Sequence, residues 1–295
     1  MNLRTFNEQF PTEESCREYL AVKRWNGRPV CQHCGSDEKI GLLKGGKVYK
    51  CYVCRKQFSV TKGTVMESSK IDLKTWFMAS YILAAHKKGI SSVQLAKDMG
   101  VTQKTAWFLL HRIRYGLGTN MNDATEQLTG IVEADETYVG ARRAGKRGRG
   151  ANGKIIVMGM HERGGKVKAQ SVERANIEIA GIIRRDVEVG STLHTDEYPV
   201  YKSLRGEYKH ETVNHSEEEY VRGNVTTNNI EAFWSVMKRG IYGIYHQVSA
   251  KHMDAYVDEF SYRYNTRNAK DGVRFEETLT MMEGRLTYNN LTQQP

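Results

Sequence analysis

The sequence has no apolar run approaching the ~18 residues that a bilayer-spanning helix needs, so no membrane span is expected. Its start, MNLRTFNEQFPTEESC, lacks the apolar segment of a signal peptide, which places the chain in a reducing cytoplasm. Cysteine is scarce: five residues, four of them in two tight pairs, with Cys16 apart. In that compartment paired cysteines point to metal more than to disulfides. No internal repeat is present. Apolar content is 39%, a little low yet sufficient for a core, and 295 residues suffice for about two domains of ~150 residues. Acid is outnumbered: Lys and Arg total 44 against 34 Asp and Glu, a net charge of +10. That sign favours polyanions, nucleic acid among them, although a merely soluble basic protein has the same balance.

Residues 1–28 read as a helical leader packed through Cys16, Tyr19, Leu20 and Trp25. Cys16 is expected as a small buried hydrophobe rather than a fifth ligand. Residues 29–62 carry Cys31-Gln-His-Cys34 and Cys51-Tyr-Val-Cys54, with sixteen residues between Cys34 and Cys51. Two residues between thiolates let one tight turn present both sulfurs, and two such turns complete a tetrahedral four-sulfur site. Gly35 and Arg55-Lys56 suit the turns, and LLKGGKVYKC reads as a hairpin turning at Gly45-Gly46. A structural zinc ribbon is therefore expected. The rival reading, a redox pair, lacks a βαβ context, and four thiolates leave no open catalytic position. His33 is expected on the knuckle, not on the metal.

Residues 63–120 are expected to be helical. A first helix covers 71–87. KKGISSVQLAKDMGVTQKTAWFLLHRIR then fits a helix-turn-helix, with Ser91 or Ser92 and Thr102 as caps and Gly100 at the turn. Ala106, Leu109, Leu110 and Ile113 face inward, leaving Gln103 and Lys104 for base edges and Arg112 and Arg114 for phosphates. A plain helical domain uses the same glycine-turned pair. From 121 to 270 strands and helices mix, and residues 271–295 read as a C-terminal helix or tail whose last dozen residues are polar and frayed.

In this third region IVEADETYV is an apolar strand that places Glu133, Asp135 and Thr137 on one face and Val132, Ala134 and Glu136 on the other. A later strand, STLHTDEY, ends near Asp196, with Glu197 as a competitor. A later helix buries Ile230, Phe233, Trp234, Met237 and Ile241 and carries Glu231 and Lys238 along its flank. Acids from separate elements suit hard divalent ions in a two-ion phosphoryl transfer. Read singly, Glu231 is equally a solvated partner of Lys238. Glu133 and Glu136 read as supporting or surface residues.

These words together resemble a bacterial insertion-sequence transposase of the DDE class, in the branch with an N-terminal zinc ribbon and an ISXO-type transposase domain. They are the two CxxC pairs, FSVTKGTVMESSK, KKGISSVQLAKDMGVTQKTAWFLLHRIR, VEADETYVG, GKRGRG, HTDEYPVY and NNIEAFWSVMKRGIYGIYHQVSAKHMDAYVDEFSYRYNTR. The resemblance spans roughly residues 10–270. It implies a multidomain α/β chain: zinc ribbon and helix-turn-helix, then a ribonuclease-H-like mixed sheet flanked by helices. It also implies Asp135, Asp196 and Glu231 as ligands of two Mg2+ or Mn2+ ions, with Lys238 on phosphate and Asn228 as the reserve third ligand.

No acidic residue occurs across residues 137–161, where Arg142, Arg143, Lys146, Arg147, Arg149 and Lys154 gather among glycines. The stretch is expected to grip DNA phosphates, against the alternative of a solvated loop. The function implied is binding of terminal inverted repeats of double-stranded DNA, then metal-dependent strand cleavage and transfer by a homo-oligomer. A sequence-specific regulator with an inactive ribonuclease-H-like domain is the alternative, and a structure-selective nuclease the third reading.

Overall fold

A computed structural model describes residues 1–121, 126–140 and 153–293. The chain divides into two compact units: Met1–Thr119 with Ala269–Pro295, and Asn120–Asn268. No helix among the described residues is long and apolar enough to cross a membrane.

The first unit opens with α1 (Leu3–Gln9) and α2 (Glu13–Trp25), each started by a capping box, at Asn2 and Thr12. Cys16 is fully buried in α2, and burial pushes its thiol up to about 11, as a packing residue requires. Strands β1 (Ile40–Leu42), β2 (Tyr49–Cys51) and β3 (Gln57–Phe58) form the ribbon as an antiparallel meander. Helices α3 (Leu73–Ala85), α4 (Ser92–Met99) and α5 (Gln103–Met121) follow. Ser91 caps α4, Gly100 turns the chain in the left-handed region at φ 65°, and Thr102 Oγ1 accepts from Thr105 N at the start of α5. Ala106, Leu109, Leu110 and Ile113 are buried, as their spacing requires.

The second unit holds a five-stranded mixed sheet. Its strands are β4 (Ile131–Val139), β5 (Ile155–Glu162), β6 (Val167–Val172), β7 (Thr192–Thr195) and β8 (Lys209–Thr212), in spatial order β6-β5-β4-β7-β8. The first three are joined antiparallel; β4, β7 and β8 run parallel. Between β6 and β7 lies α6 (Ala175–Asp186). A two-stranded hairpin, β9 (Val221–Arg222) with β10 (Val225–Thr226), leads into α7 (Asn228–Gly240) and then α8 (Met253–Asn265). Alternation along β4 builds two cores. Val132 and Ala134 pack with Leu193, Ile179, Ile183 and Tyr201 on one face. Val139, Val157 and Val167 pack with Ile230, Phe233, Met237, Val257 and Phe260 on the other. The result is the ribonuclease-H-like layering, with α6 on one face of the sheet and α7 and α8 on the other.

The C-terminal stretch holds a helix, as one of the two expected forms, and departs from expectation only in its last dozen residues, where a second short helix stands in place of a frayed end. Helices α9 (Asp271–Thr280) and α10 (Tyr288–Thr292) belong to the first unit. Phe275, Leu279 and Met282 recur at helical spacing and are buried, and the Phe275 ring lies within 5.8–6.0 Å of Phe6, Phe10, Phe77 and Tyr81. Leu291 is buried as well. Polar composition hid a short apolar stripe, and that stripe completes an aromatic core begun by α1 and α3.

Candidate active site

The site is built around β4. Asp135 pairs across the ladder with Gly159 of β5, and a side chain at 159 would meet the Trp234 ring within 2.5 Å. Glycine there lets α7 lie close, so that Trp234 Nε1 donates to Asp135 Oδ2 at 3.0 Å. The Asp135 carboxyl is pushed up to about 8, first by burial and then by the charges of Glu136, Asp196 and Glu231. Asp196, from a strand end, and Glu231, from a helix, thus each lie within electrostatic reach of Asp135. Lys238, two turns along α7 from Glu231, reaches the same charge: burial lowers its pKa and Asp135 opposes that shift.

Asp196 is half-buried at the end of β7 and accepts from Tyr198 N at 2.9 Å, which turns the chain away. Glu197 faces elsewhere. Its carboxylate accepts from His215 N at 3.0 Å and from Ser216 Oγ at 2.5 Å, fixing the loop before β9. Glu231 is half-buried and accepts from Thr227 Oγ1 at 2.8 Å. Asn228 is exposed, one residue into α7. Glu136 turns to the other face, where it accepts from Tyr201 Oη at 2.9 Å.

Two features were not specified by the sequence: how Glu133 supports the site, and His215. Glu133, read as a supporting or surface residue, is fully buried, and its two oxygens accept from Arg163 Nε, Asn229 N, Asn229 Nδ2 and Ile230 N at 2.7–3.3 Å. It caps α7 from a neighbouring strand, where Thr227 makes no side-chain cap of its own. The signal was a second acid on the Asp135 face of an apolar strand, two residues earlier. The other is His215, whose Nε2 stands 3.8 Å from Glu231 Oε1.

The four ribbon cysteines converge, with all Sγ atoms within 4.8 Å of one another. Cys31 and Cys54 are 3.6 Å apart and Cys34 and Cys51 3.8 Å. Four sulfurs about 2.3 Å from one tetrahedral ion lie about 3.8 Å apart, so the donor set fits zinc. Matched turns shape it: Cys31 N donates to Ser36 O and Cys51 N to Lys56 O, with Gly35 and Arg55 both at positive φ. His33 Nε2 lies 3.1 Å from Gln57 O, directed to β3 instead of the sulfurs. Among the described residues no three carboxylates come as close as these thiols.

Of the residues expected on DNA, Gln103 and Lys104 are exposed. Gln103 Nε2 donates to Ser92 Oγ at 2.8 Å, and Lys104 Nζ sits 4.8 Å over the Tyr288 ring. Arg112 and Arg114 are corrections: they are only 5% and 1% exposed. Arg112 is held between Trp76 and Phe108 at 5.1 and 5.3 Å and donates to Glu67 O at 2.7 Å, so its cation serves packing. The buried side of α5 is wider than its apolar stripe, and the arginine stems fill it. Arg142, Arg143, Lys146, Arg147 and Arg149 lie outside the described residues; Lys154 is described, and its charge acts on Lys238.

Comparison with known proteins agrees with this layout. Residues 127–265 match the ISXO2-like transposase domain, and residues 11–57 match the transposase zinc-ribbon domain. The chain is also similar to an uncharacterised protein in transposable element ISH50 of Halobacterium salinarum. The two are 28% identical over 278 residues, covering 86% of this chain and 91% of the relative. The chain thus carries a transposase zinc-ribbon domain followed by an ISXO2-like transposase domain, the two parts that its resemblance to insertion-sequence transposases implied.

Proposed function

We propose that the protein binds the terminal inverted repeats of an insertion sequence and carries out strand cleavage and strand transfer. The observation that carries this reading is that Asp196 and Glu231, brought in from a strand end and a helix, both act on the buried Asp135 carboxyl, adding to the upward push of its burial and of Glu136. Like-charged carboxylates in a half-buried site favour cations, and an all-oxygen donor set suits magnesium or manganese. Carboxylates contributed by separate elements suit a pair of ions in phosphoryl transfer. Those ions would supply activation of the attacking oxygen and charge neutralisation at the leaving oxygen.

The chain's own residues supply position. Asp135 is oriented by the Trp234 indole N–H, and Asp196 by the Tyr198 backbone N–H. Glu231 is oriented by Thr227 and by the Glu133 cap on its helix. Lys238 is suited to hold a non-bridging phosphate oxygen beside Asp135. Gln103 and Lys104, exposed at the start of α5, are suited to duplex contacts, and the basic stretch that leaves β4 to the phosphate backbone. Two element ends are best brought together by a homo-oligomer. A regulator with an inactive domain would be favoured by a missing acid, and none is missing.

The test is a cleavage and strand-transfer assay on element ends with magnesium, comparing wild type, Glu231→Gln and Asn228→Ala. Loss of joining in Glu231→Gln with retention in Asn228→Ala supports the triad. The reverse pattern would move the third ligand to Asn228, and no joining by wild type would favour the regulator.

A further inference from the structure

The loop between β8 and β9 is pinned by hydrogen bonds from within and from β7's end. His215 opens a short 3-10 turn, His215–Glu217. Glu197, next in sequence to Asp196, accepts from the backbone N–H of His215 and the hydroxyl of Ser216. Asn214 closes the turn from within: its side-chain oxygen accepts from Ser216 N at 3.2 Å, and its carbonyl accepts from Glu219 N at 3.0 Å. The Tyr220 ring lies 5.2 Å from the imidazole. One acid at the end of β7 therefore fixes the loop, while its neighbour Asp196 faces the site.

The held imidazole points Nε2 at Glu231. The Nε2 to Oε1 distance is 3.8 Å, and Nε2 is buried with no hydrogen-bond partner. That is too long for a hydrogen bond. Adjacent donors about 2.2 Å from an octahedral ion lie about 3.1 Å apart, so a small inward turn of either side chain would bring the pair to the spacing of two ligands of one ion. An orphaned buried nitrogen beside a carboxylate is a donor set that a divalent cation satisfies.

We propose that His215 Nε2 and Glu231 Oε1 are joint ligands of one divalent ion, so that the third-acid side of the site is a mixed nitrogen and oxygen site. This rests on the reading of Glu231 as the third acid. A nitrogen ligand disfavours magnesium, which holds to oxygen donors, relative to transition ions such as manganese.

The test uses the full-length, zinc-loaded chain titrated with Mn2+ alone, read by electron paramagnetic resonance and spin-echo envelope modulation. The expected result is 14N modulation on the bound ion, a change of its frequencies on 15N-histidine labelling, and its loss in His215→Ala. Mn2+ affinity should fall about tenfold in that variant, and Mg2+ affinity, by competition, less than about threefold. Isotope labelling needs no variant, so a misfolded His215→Ala leaves the test intact. Absent 14N modulation, or modulation that persists in a folded His215→Ala, overturns the proposal. Asp135→Asn separates the two readings. If it abolishes Mn2+ binding while wild type shows no nitrogen coupling, the acid triad stands and His215 is not a ligand. If Mn2+ binding is absent, or survives Asp135→Asn unchanged, both readings fall.

Discussion

Glu133 and Asn229 are joined twice, backbone N–H to Oε2 at 2.8 Å and side-chain amide to Oε1 at 2.7 Å. The pair ties β4, which carries Asp135, to the first turn of α7, which carries Glu231. Arg163 completes it, donating to Glu133 at 2.9 Å and to Asn224 at 2.7 Å, with its remaining nitrogen 3.3 Å from His194 Nδ1. Removing a buried acid that serves a guanidinium and a helix start leaves both unsatisfied. Glu133→Ala should therefore cost about 3–5 kcal/mol of stability. Urea unfolding measures it, and a change below about 1 kcal/mol would show that the cap is dispensable.

Asp135 gives a pH prediction. Its carboxyl, raised from 3.8 to about 8, keeps its proton in the folded state over a range where the unfolded chain has lost it. Between those values the native state binds more protons, so in divalent-free buffer stability should fall as pH rises from about 4 to about 8 and then level off. Asp135→Asn removes that slope and should raise the melting temperature at pH 8 by several degrees, while abolishing strand transfer and leaving end binding intact. A parallel pair of melting-temperature profiles would refute the assignment. Retained joining would take Asp135 out of the chemistry.

Much of this architecture was legible because it is periodic. Alternation along IVEADETYV separated Asp135 from Glu136, and each indeed lies on its own face, one against Trp234 and the other against Tyr201. CxxC spacing gave the ribbon, and helical spacing gave the buried face of α5. What stayed hidden depends on groups distant in sequence. Of the two rings that enclose Arg112, only Phe108 is local, one turn earlier on the same helix; Trp76, which closes the other side, comes from another helix. Nothing local marks His215 as facing Glu231, because Glu197 in another segment decides where the loop goes. Phe275 was overlooked in a polar setting, although its partners Phe6 and Phe10 lie at the opposite end of the chain.

Cys51→Ser tests the ribbon. Cys51 is fully buried, and its backbone N–H closes the second knuckle on Lys56. Four thiolates and one ion fold together, so three thiolates should hold zinc poorly and the β1–β3 module should lose its order. The expected outcome is loss of stoichiometric zinc by elemental analysis, together with faster proteolysis within residues 29–62. Unchanged metal content would remove zinc from the ribbon. The second unit has its own two cores and should keep its far-ultraviolet signal.

The basic stretch after β4 tests the mode of DNA contact. Arg142, Arg143, Lys146, Arg147 and Arg149 follow the strand of Asp135 without an intervening acid. Cations that meet phosphates release counterions, and each such contact steepens the dependence of log K on log salt by about 0.9. Replacing all five with glutamine should weaken binding to every duplex alike and reduce the slope by as much as about 4.5, if each meets one phosphate. Fluorescence anisotropy on element-end and unrelated duplexes, from low to moderate salt, separates the outcomes. A loss confined to the element end, with the slope unchanged, would assign these residues to base reading, which guanidinium groups accomplish at guanine edges in the major groove. Equal weakening on both duplexes leaves sequence reading to the exposed start of α5, where Gln103 and Lys104 stand.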